Sequence, residues 1–294
     1  MVFLMKKKGV KAKRIVLTII AVILVAAGLT MLIAPRISNQ IGKEIAHSTV
    51  EEFRRLKNSI SEEEPTTGGE GSMDKNVSNA SAGDTSQNCD GHIVHSDDKQ
   101  VCLLEDGSSH TATKADIDKL YADSVAYNEN LKLHQTELLV NEQSYKKPAL
   151  DLSSYGITNG VYGSVSAPSI GMELPIYLGA TDDNMDCGAA HMTYTSLPIG
   201  GESTNCVLSG HSGYIGRIFF DYIVDLAIGD EITVENYWNV LTYKVVDRQI
   251  HSKDESADCY INEGRDLLTL ITCISNGRGG FDRFYLIAER TGGA

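Results

Sequence analysis

The run from Ile15 to Ala34, IVLTIIAVILVAAGLTMLIA, carries no charge and constrains this chain more than any other stretch. At 1.5 Å per residue, a helix of about 20 apolar residues spans about 30 Å, the thickness of a bilayer's hydrocarbon core. Lys6, Lys7, Lys8, Lys11, Lys13 and Arg14 crowd the segment before it. Basic residues favour the cytoplasmic side, so the N-terminus is expected inside and everything after Pro35 outside. The apolar region of a cleavable signal peptide is shorter, about 7–15 residues, and ends in small residues. Pro35-Arg36-Ile37 makes a poor cleavage site, so an uncleaved anchor is expected, and no second apolar run of that length follows.

The remaining composition narrows the function classes. A net charge of −13 argues against nucleic-acid binding, which needs a basic face. Six cysteines, Cys89, Cys102, Cys187, Cys206, Cys259 and Cys273, all fall on the outer side. An even number outside the cell is compatible with three disulfides. If Cys273 stays a free thiol, at least one other cysteine is unpaired. The chain has no C-x-x-C pair, so a structural zinc site is not expected.

The expected organisation follows hydrophobic period and composition. Residues 1–14 form a cytoplasmic tail and residues 15–34 the anchor. Residues 35–61 form a juxtamembrane helix, with Ile37, Ile41, Ile45, Val50, Phe53, Leu56 and Ile60 as its apolar stripe. It continues the anchor as a stalk or packs back on the domain. Residues 62–112 are rich in Gly, Ser, Asn and Asp and are expected to be a flexible linker. Within it, Cys89 to His95 and Gln100 to Leu104 suggest a small hairpin, with Cys89 and Cys102 near each other at its open end. His92 and His95 there are expected to be solvated.

Residues 113–150 begin with a helix whose start carries Thr113 and, three residues on, Asp116, an arrangement like a capping box. Ile117, Leu120, Tyr121, Val125 and Leu131 supply its apolar face. From about residue 151 to 294 the period changes to two, and short strands alternate with Gly, Pro, Asn and Asp turns. This pattern implies a mainly β domain, a closed barrel or a sandwich.

Three sites in that domain carry chemistry. Leu267 to Cys273 is a buried-type strand ending on a cysteine, beside a loop containing Gly277, Gly279 and Gly280. Ser209-Gly210-His211-Ser212-Gly213 places a histidine at a loop start directly after a strand. Arg283 lies on the strand that leaves the Cys273 loop. A thiolate is a nucleophile, an imidazole exchanges protons near neutral pH, and a guanidinium donates to a developing oxyanion. Each residue alone has an ordinary explanation: a core thiol, a turn histidine, a salt-bridged surface arginine. Spacing does not bring them together.

The motifs do carry a resemblance. Thr269-Leu270-Ile271-Thr272-Cys273 resembles the TLxTC signature of sortases, membrane-anchored cysteine transpeptidases of Gram-positive surfaces. Ser209-Gly210-His211 and Arg283 resemble their histidine and arginine motifs. Pro168-Ser169-Ile170, Leu174-Pro175-Ile176-Tyr177, Gly188-Ala189-Ala190-His191 and Thr195-Ser196-Leu197-Pro198 are similar to class C, pilin-type sortases. The class C lid motif, Asp-Pro-aromatic, is absent between Leu139 and Leu150. The resemblance implies a closed sortase-type β-barrel preceded by helices and one anchor. It implies Cys273 as nucleophile and acyl-thioester carrier, His211 as proton donor and acceptor, and Arg283 as oxyanion stabiliser, with no cofactor or metal. His191 matches a position often histidine in class C, without an assigned catalytic role. The implied substrates are surface proteins or pilins with C-terminal LPXTG-like signals, cleaved after Thr. The implied acceptors are amines, a pilin lysine or a cell-wall precursor. A cysteine hydrolase on the same scaffold and a non-enzymatic surface adhesin are the other readings.

Overall fold

In a computed structural model of the chain, residues 2–62, 95–96, 99–100, 111–138, 144–213, 216, 219–252 and 259–292 are described. Helix α1 (Val2–Glu62) runs unbroken through Pro35. Its apolar stretch is long enough to cross a membrane, and side chains from Val16 to Ile33 are exposed on all faces. A helix apolar all round has no polar face to offer water, which is the signature of a lipid-facing span. Past it the stripe narrows, and Ala46, Val50, Phe53 and Ile60 are buried. The two alternatives for residues 35–61 are thus not exclusive: the helix continues unbroken past the apolar run and packs its later turns on the barrel.

Polar contacts fix that docking. Arg54 reaches Glu173 and Glu235 on the barrel at 2.8 and 2.9 Å, and Lys57 meets Glu235 at 3.0 Å. His47 Nδ1 lies 2.6 Å from Glu173. Burial alone would raise the Glu173 carboxyl, but its hydrogen bonds with His47 and Arg54 outweigh that and hold it below the usual range. Nearer the membrane, the Gly216 amide donates to Asn39 Oδ1 at 2.7 Å.

The short strands β1 (His95–Ser96) and β2 (Lys99–Gln100) pair antiparallel, His95 opposite Gln100. Cys89, Cys102 and His92, and with them the expected disulfide across this hairpin, lie outside the described residues. Helix α2 (Lys114–Leu138) opens with a reciprocal cap: Thr113 N donates to Asp116 Oδ2 at 2.9 Å and Asp116 N to Thr113 Oγ1 at 3.3 Å. Its buried face is Ile117, Leu120, Ser124, Asn128, Leu131 and Gln135, more polar than periodicity alone suggests. Tyr121, expected inside, is 41% exposed and leans on Trp238. The buried amides are satisfied by barrel backbone: Asn128 bonds Leu197 N and O, and Gln135 bonds Ile261 N and Tyr194 O. Such burial is tolerable because every polar group it hides finds a partner.

The eight remaining strands close into a barrel: β3 (Val161–Ala167), β4 (Met172–Leu178), β5 (Ala189–His191), β6 (Thr204–Ser209), β7 (Glu231–Asn236), β8 (Val240–His251), β9 (Asp266–Ser275) and β10 (Phe281–Gly292). Around the barrel they run β10-β8-β7-β3-β4-β5-β6-β9, with β9 pairing β10 to close it. Most neighbours are antiparallel, while β4–β5 and β6–β9 are parallel. Helix α3 (Asp182–Cys187) fills the crossover between β4 and β5. Inside the barrel, Leu208, Leu270 and Leu286 join Val165, Ile176 and Val234 in one core. On the outer face of the same strands, Val207, Ile271 and Tyr285 form a second buried cluster with Cys259. Period two thus splits β6, β9 and β10 cleanly between the two faces.

Candidate active site

Strand register sets Cys273 opposite Arg283, and the loop carrying His211 leaves β6 beside them. Along the parallel β6–β9 ladder, Val207 pairs with Thr269 and Ser209 with Ile271. The ladder ends there, and His211 stands two residues beyond it, in the loop that follows β6. Across the antiparallel β9–β10 ladder, Ile271 faces Tyr285 and Cys273 faces Arg283. Because alternate residues share a face, Cys273 follows Ile271, and Arg283 follows Tyr285, onto the barrel's outer side. Neighbouring strands lie about 4.8 Å apart, so this arrangement crowds thiol and guanidinium. Arg283 Nη1 in fact donates to Cys273 Sγ. Cys273 is a free thiol, half-buried, whereas the free thiols Cys206 and Cys259 are fully buried. Burial pushes Cys206 well up from the ordinary thiol range, which suits an inert core residue.

Backbone contacts tie the histidine loop to the end of β9. Gly210 N donates to Ile271 O at 3.1 Å, Thr272 Oγ1 donates to Gly210 O at 2.9 Å, and Ser212 Oγ donates to Cys273 O. Phe220 N donates to His211 O at 3.0 Å and lays its ring against Gly210. A Cβ at position 210 would stand 2.7 Å from that ring, so only glycine allows the approach. Gly213 N donates to Asp221 Oδ1 at 2.8 Å, and burial raises the Asp221 carboxyl. After Cys273 the glycine loop is closed by Asn276, whose Oδ1 accepts from Arg278 N and Gly280 N, both at 3.0 Å.

Two residues at this site carried no motif. Ser212 was visible only as part of the histidine stretch, and its bond to the Cys273 carbonyl depends on the β6–β9 pairing. Asp186, on α3, comes within 3.6 Å of His211 Nε2. Nothing in its sequence setting, Asp182-Asp183-Asn184-Met185-Asp186, separates it from a solvated acidic turn. His191 is wholly buried, with Nε2 3.1 Å from Ser196 O, and burial pushes its pKa down to about 4. It is a neutral core residue away from solvent. Among the described residues no three His, Cys, Asp or Glu side chains stand close enough to hold a metal ion.

A closed barrel with a free cysteine, a histidine and an arginine at the ends of adjacent strands is the architecture of the sortase class. Residues 165–291 of the chain match the sortase domain model. It is 32% identical over 115 residues to sortase A of Bacillus anthracis, a match covering 39% of this chain and 53% of that one. The chain thus spans about half the length of the curated relatives it matches. Among solved structures it resembles sortase C-1 of Streptococcus pneumoniae, with 29% identity and a TM-score of 0.54, covering 62% of this chain and 93% of that one. A pilus-related sortase C of Group B Streptococcus gives 29% identity and a TM-score of 0.52, covering 61% and 91%.

Proposed function

We propose that this chain is a membrane-anchored cysteine transpeptidase that cleaves an LPXTG-like sorting signal after Thr and passes the acyl group to an amine. The observation that carries the reading is the bond from Arg283 Nη1 to Cys273 Sγ, beside the Ser212 bond to the Cys273 carbonyl that ties in the histidine loop. The carbonyl oxygen on a carbon newly bonded to that sulphur falls within reach of the same guanidinium.

The steps follow from these roles. Cys273, as thiolate, attacks the Thr carbonyl carbon and forms a C–S bond. The carbonyl π pair moves to oxygen, and Arg283 donates to the oxyanion. The intermediate collapses, the Thr–Gly C–N bond breaks, and imidazolium His211 gives its proton to the departing Gly nitrogen. The product is a thioester on Cys273. An incoming amine then attacks the thioester carbon and yields its proton to neutral His211, and the C–S bond breaks to return the thiolate. A pilin lysine or a cell-wall precursor would supply that amine, and surface proteins or pilins with C-terminal LPXTG-like signals would supply the acyl group. Likeness to a pilus-related sortase C favours the pilin lysine.

In this reading residues 1–14 stay in the cytoplasm, residues 15–34 cross the membrane once, and the domain from about residue 151 works outside. The positively charged flank of the span supports that orientation.

Intact-mass spectrometry of the full chain in lipid nanodiscs, mixed with LPXTG-like peptides, tests the proposal. A mass increment on Cys273 equal to the peptide cleaved after Thr, discharged by added amine, is the expected result. Discharge by water alone would make it a hydrolase. No adduct, with Cys273 inert to iodoacetamide, would sink the enzymatic reading and favour an adhesin.

A further inference from the structure

Helix α3 delivers a carboxylate to the site from outside the three strands that build it. Its frame is held at both ends. Thr181 Oγ1 accepts from Asn184 N at 3.1 Å, and Asn184 Nδ2 donates to the carbonyls of Leu178 and Gly179 at 3.0 and 2.8 Å. At the far end Cys187 is disulfide-bonded, and a Cβ on Gly188 would stand 2.5 Å from Pro175 O, so the chain is pressed against β4 there. Ser209 Oγ, two residues before His211, donates to Met185 Sδ at 3.4 Å. These restraints aim Asp186 Oδ1 at His211 Nε2, 3.6 Å away, with both side chains largely screened at 16% and 19% exposure. The other two carboxylates of α3, Asp182 and Asp183, sit exposed in its first turn.

We propose that Asp186 is a positioning residue for His211, holding the imidazole with a proton on Nε2 and leaving Nδ1 to carry the proton transfers. The inference rests on the transpeptidase reading and deepens it. An ionised carboxylate only accepts hydrogen bonds, so beside Nε2 it selects the tautomer protonated there. A separation of 3.6 Å is an ion-pair distance, longer than a hydrogen bond, and contacts of this kind tighten when substrate closes the site. In the acylation step the proton leaves Nδ1 for the Gly nitrogen, while the Nε2 proton stays shared with Asp186. In the second step the amine's proton returns to Nδ1. Replacing the carboxylate removes its preference for the tautomer protonated on Nε2.

The test uses the full chain in nanodiscs as wild type, Asp186→Asn, Asp186→Ala, Asp186→Glu and, as control, Asp183→Asn. Single-turnover acylation is measured alongside the ¹⁵N resonances of His211, assigned by comparison with His211→Gln. Expected is a loss of at least about tenfold in kcat for Asp186→Asn and Asp186→Ala, with KM within about twofold. Partial recovery in Asp186→Glu and no change in Asp183→Asn complete the pattern. The His211 ¹⁵N shifts should move from an Nε2-protonated tautomer in wild type to a mixture in Asp186→Asn. Wild-type rates in all three Asp186 variants overturn the proposal, as does a rate loss with unmoved ¹⁵N shifts, which marks a merely structural role. If wild type itself forms no acyl-enzyme, the transpeptidase reading fails. The ¹⁵N comparison still decides whether Asp186 orients His211.

Discussion

Arg283 stands directly opposite Cys273 in the β9–β10 ladder and donates a hydrogen bond from Nη1 to its Sγ. The ladder fixes the two backbone positions across from each other. Arg283→Ala should lower the acylation rate by about 10²–10³, the range for loss of an oxyanion donor. Arg283→Lys should recover little, because a point ammonium lacks the planar fork that reaches sulphur and oxygen together. Single-turnover acylation with an LPXTG-like peptide checks both; full activity in Arg283→Ala would remove the guanidinium from the mechanism.

Gly210→Ala should act by displacement. Its methyl would meet the Phe220 ring at 2.7 Å, and the ring or the histidine loop must move. Overpacking of this kind costs about 1–3 kcal/mol. Transfer should fall far more than melting temperature suggests, and Phe220→Ala in the same chain should restore part of it by making room.

Ser212→Ala removes the bond to the Cys273 carbonyl but no proposed catalytic group. A loss of about 1 kcal/mol in stability and a few-fold drop in turnover are expected. A drop as large as that of Cys273→Ala would mean that the hydroxyl itself takes part in the chemistry.

His191 should make stability depend on pH in a defined direction. Its folded pKa is depressed to about 4 by burial, against an ordinary value of 6.5. Above pH 6.5 both states are neutral and its contribution is complete. As pH falls toward 4 the unfolded chain takes up a proton that the folded chain refuses, so stability is lost, by up to about 3 kcal/mol below pH 4. Thermal melts of wild type and His191→Gln between pH 7 and pH 4 should diverge in slope. Equal slopes would mean that His191 protonates in place.

The docking of α1 offers a lower window. Burial tends to raise Glu235, but hydrogen bonds from Arg54 and Lys57 prevail and lower it. Glu173 is lowered likewise. Depressed carboxyls stabilise the fold above their ordinary value of 4.5, and that contribution is lost as pH falls below it. Arg54→Ala should therefore loosen α1 at neutral pH, by about 1 kcal/mol given its partial exposure, and flatten the acid limb. Hydrogen exchange in residues 44–60 reads the loosening directly.

Much of this was legible before any coordinates. The apolar run before Pro35, the Thr113–Asp116 cap, a strand through Cys273 (which runs on to Ser275) and a strand starting at Phe281 all follow from local pattern. Resemblance in the Cys273, His211 and Arg283 motifs anticipated the family. Other features were not legible, for identifiable reasons. Strand β5 is three residues long and gives no periodicity to detect. The buried side of α2 includes Ser124, Asn128 and Gln135, which look solvated until the barrel backbone supplies their partners. The stalk or packed reading of residues 35–61 depended on barrel carboxylates nearly 180 residues away.

Composition and period alone thus determined a single apolar run, a β-rich domain beyond it and a cysteine on a buried-type strand. Those are properties of one stretch at a time, set by backbone hydrogen bonding and the side chains' preference for lipid, water or core. Only the tertiary structure decided that β6 lies parallel to β9, which carries the His211 loop to the Cys273 end of β9, and that α3 brings Asp186 within 3.6 Å of the imidazole. Both depend on closing a barrel, in which register between distant strands is fixed by the packing of two buried faces at once.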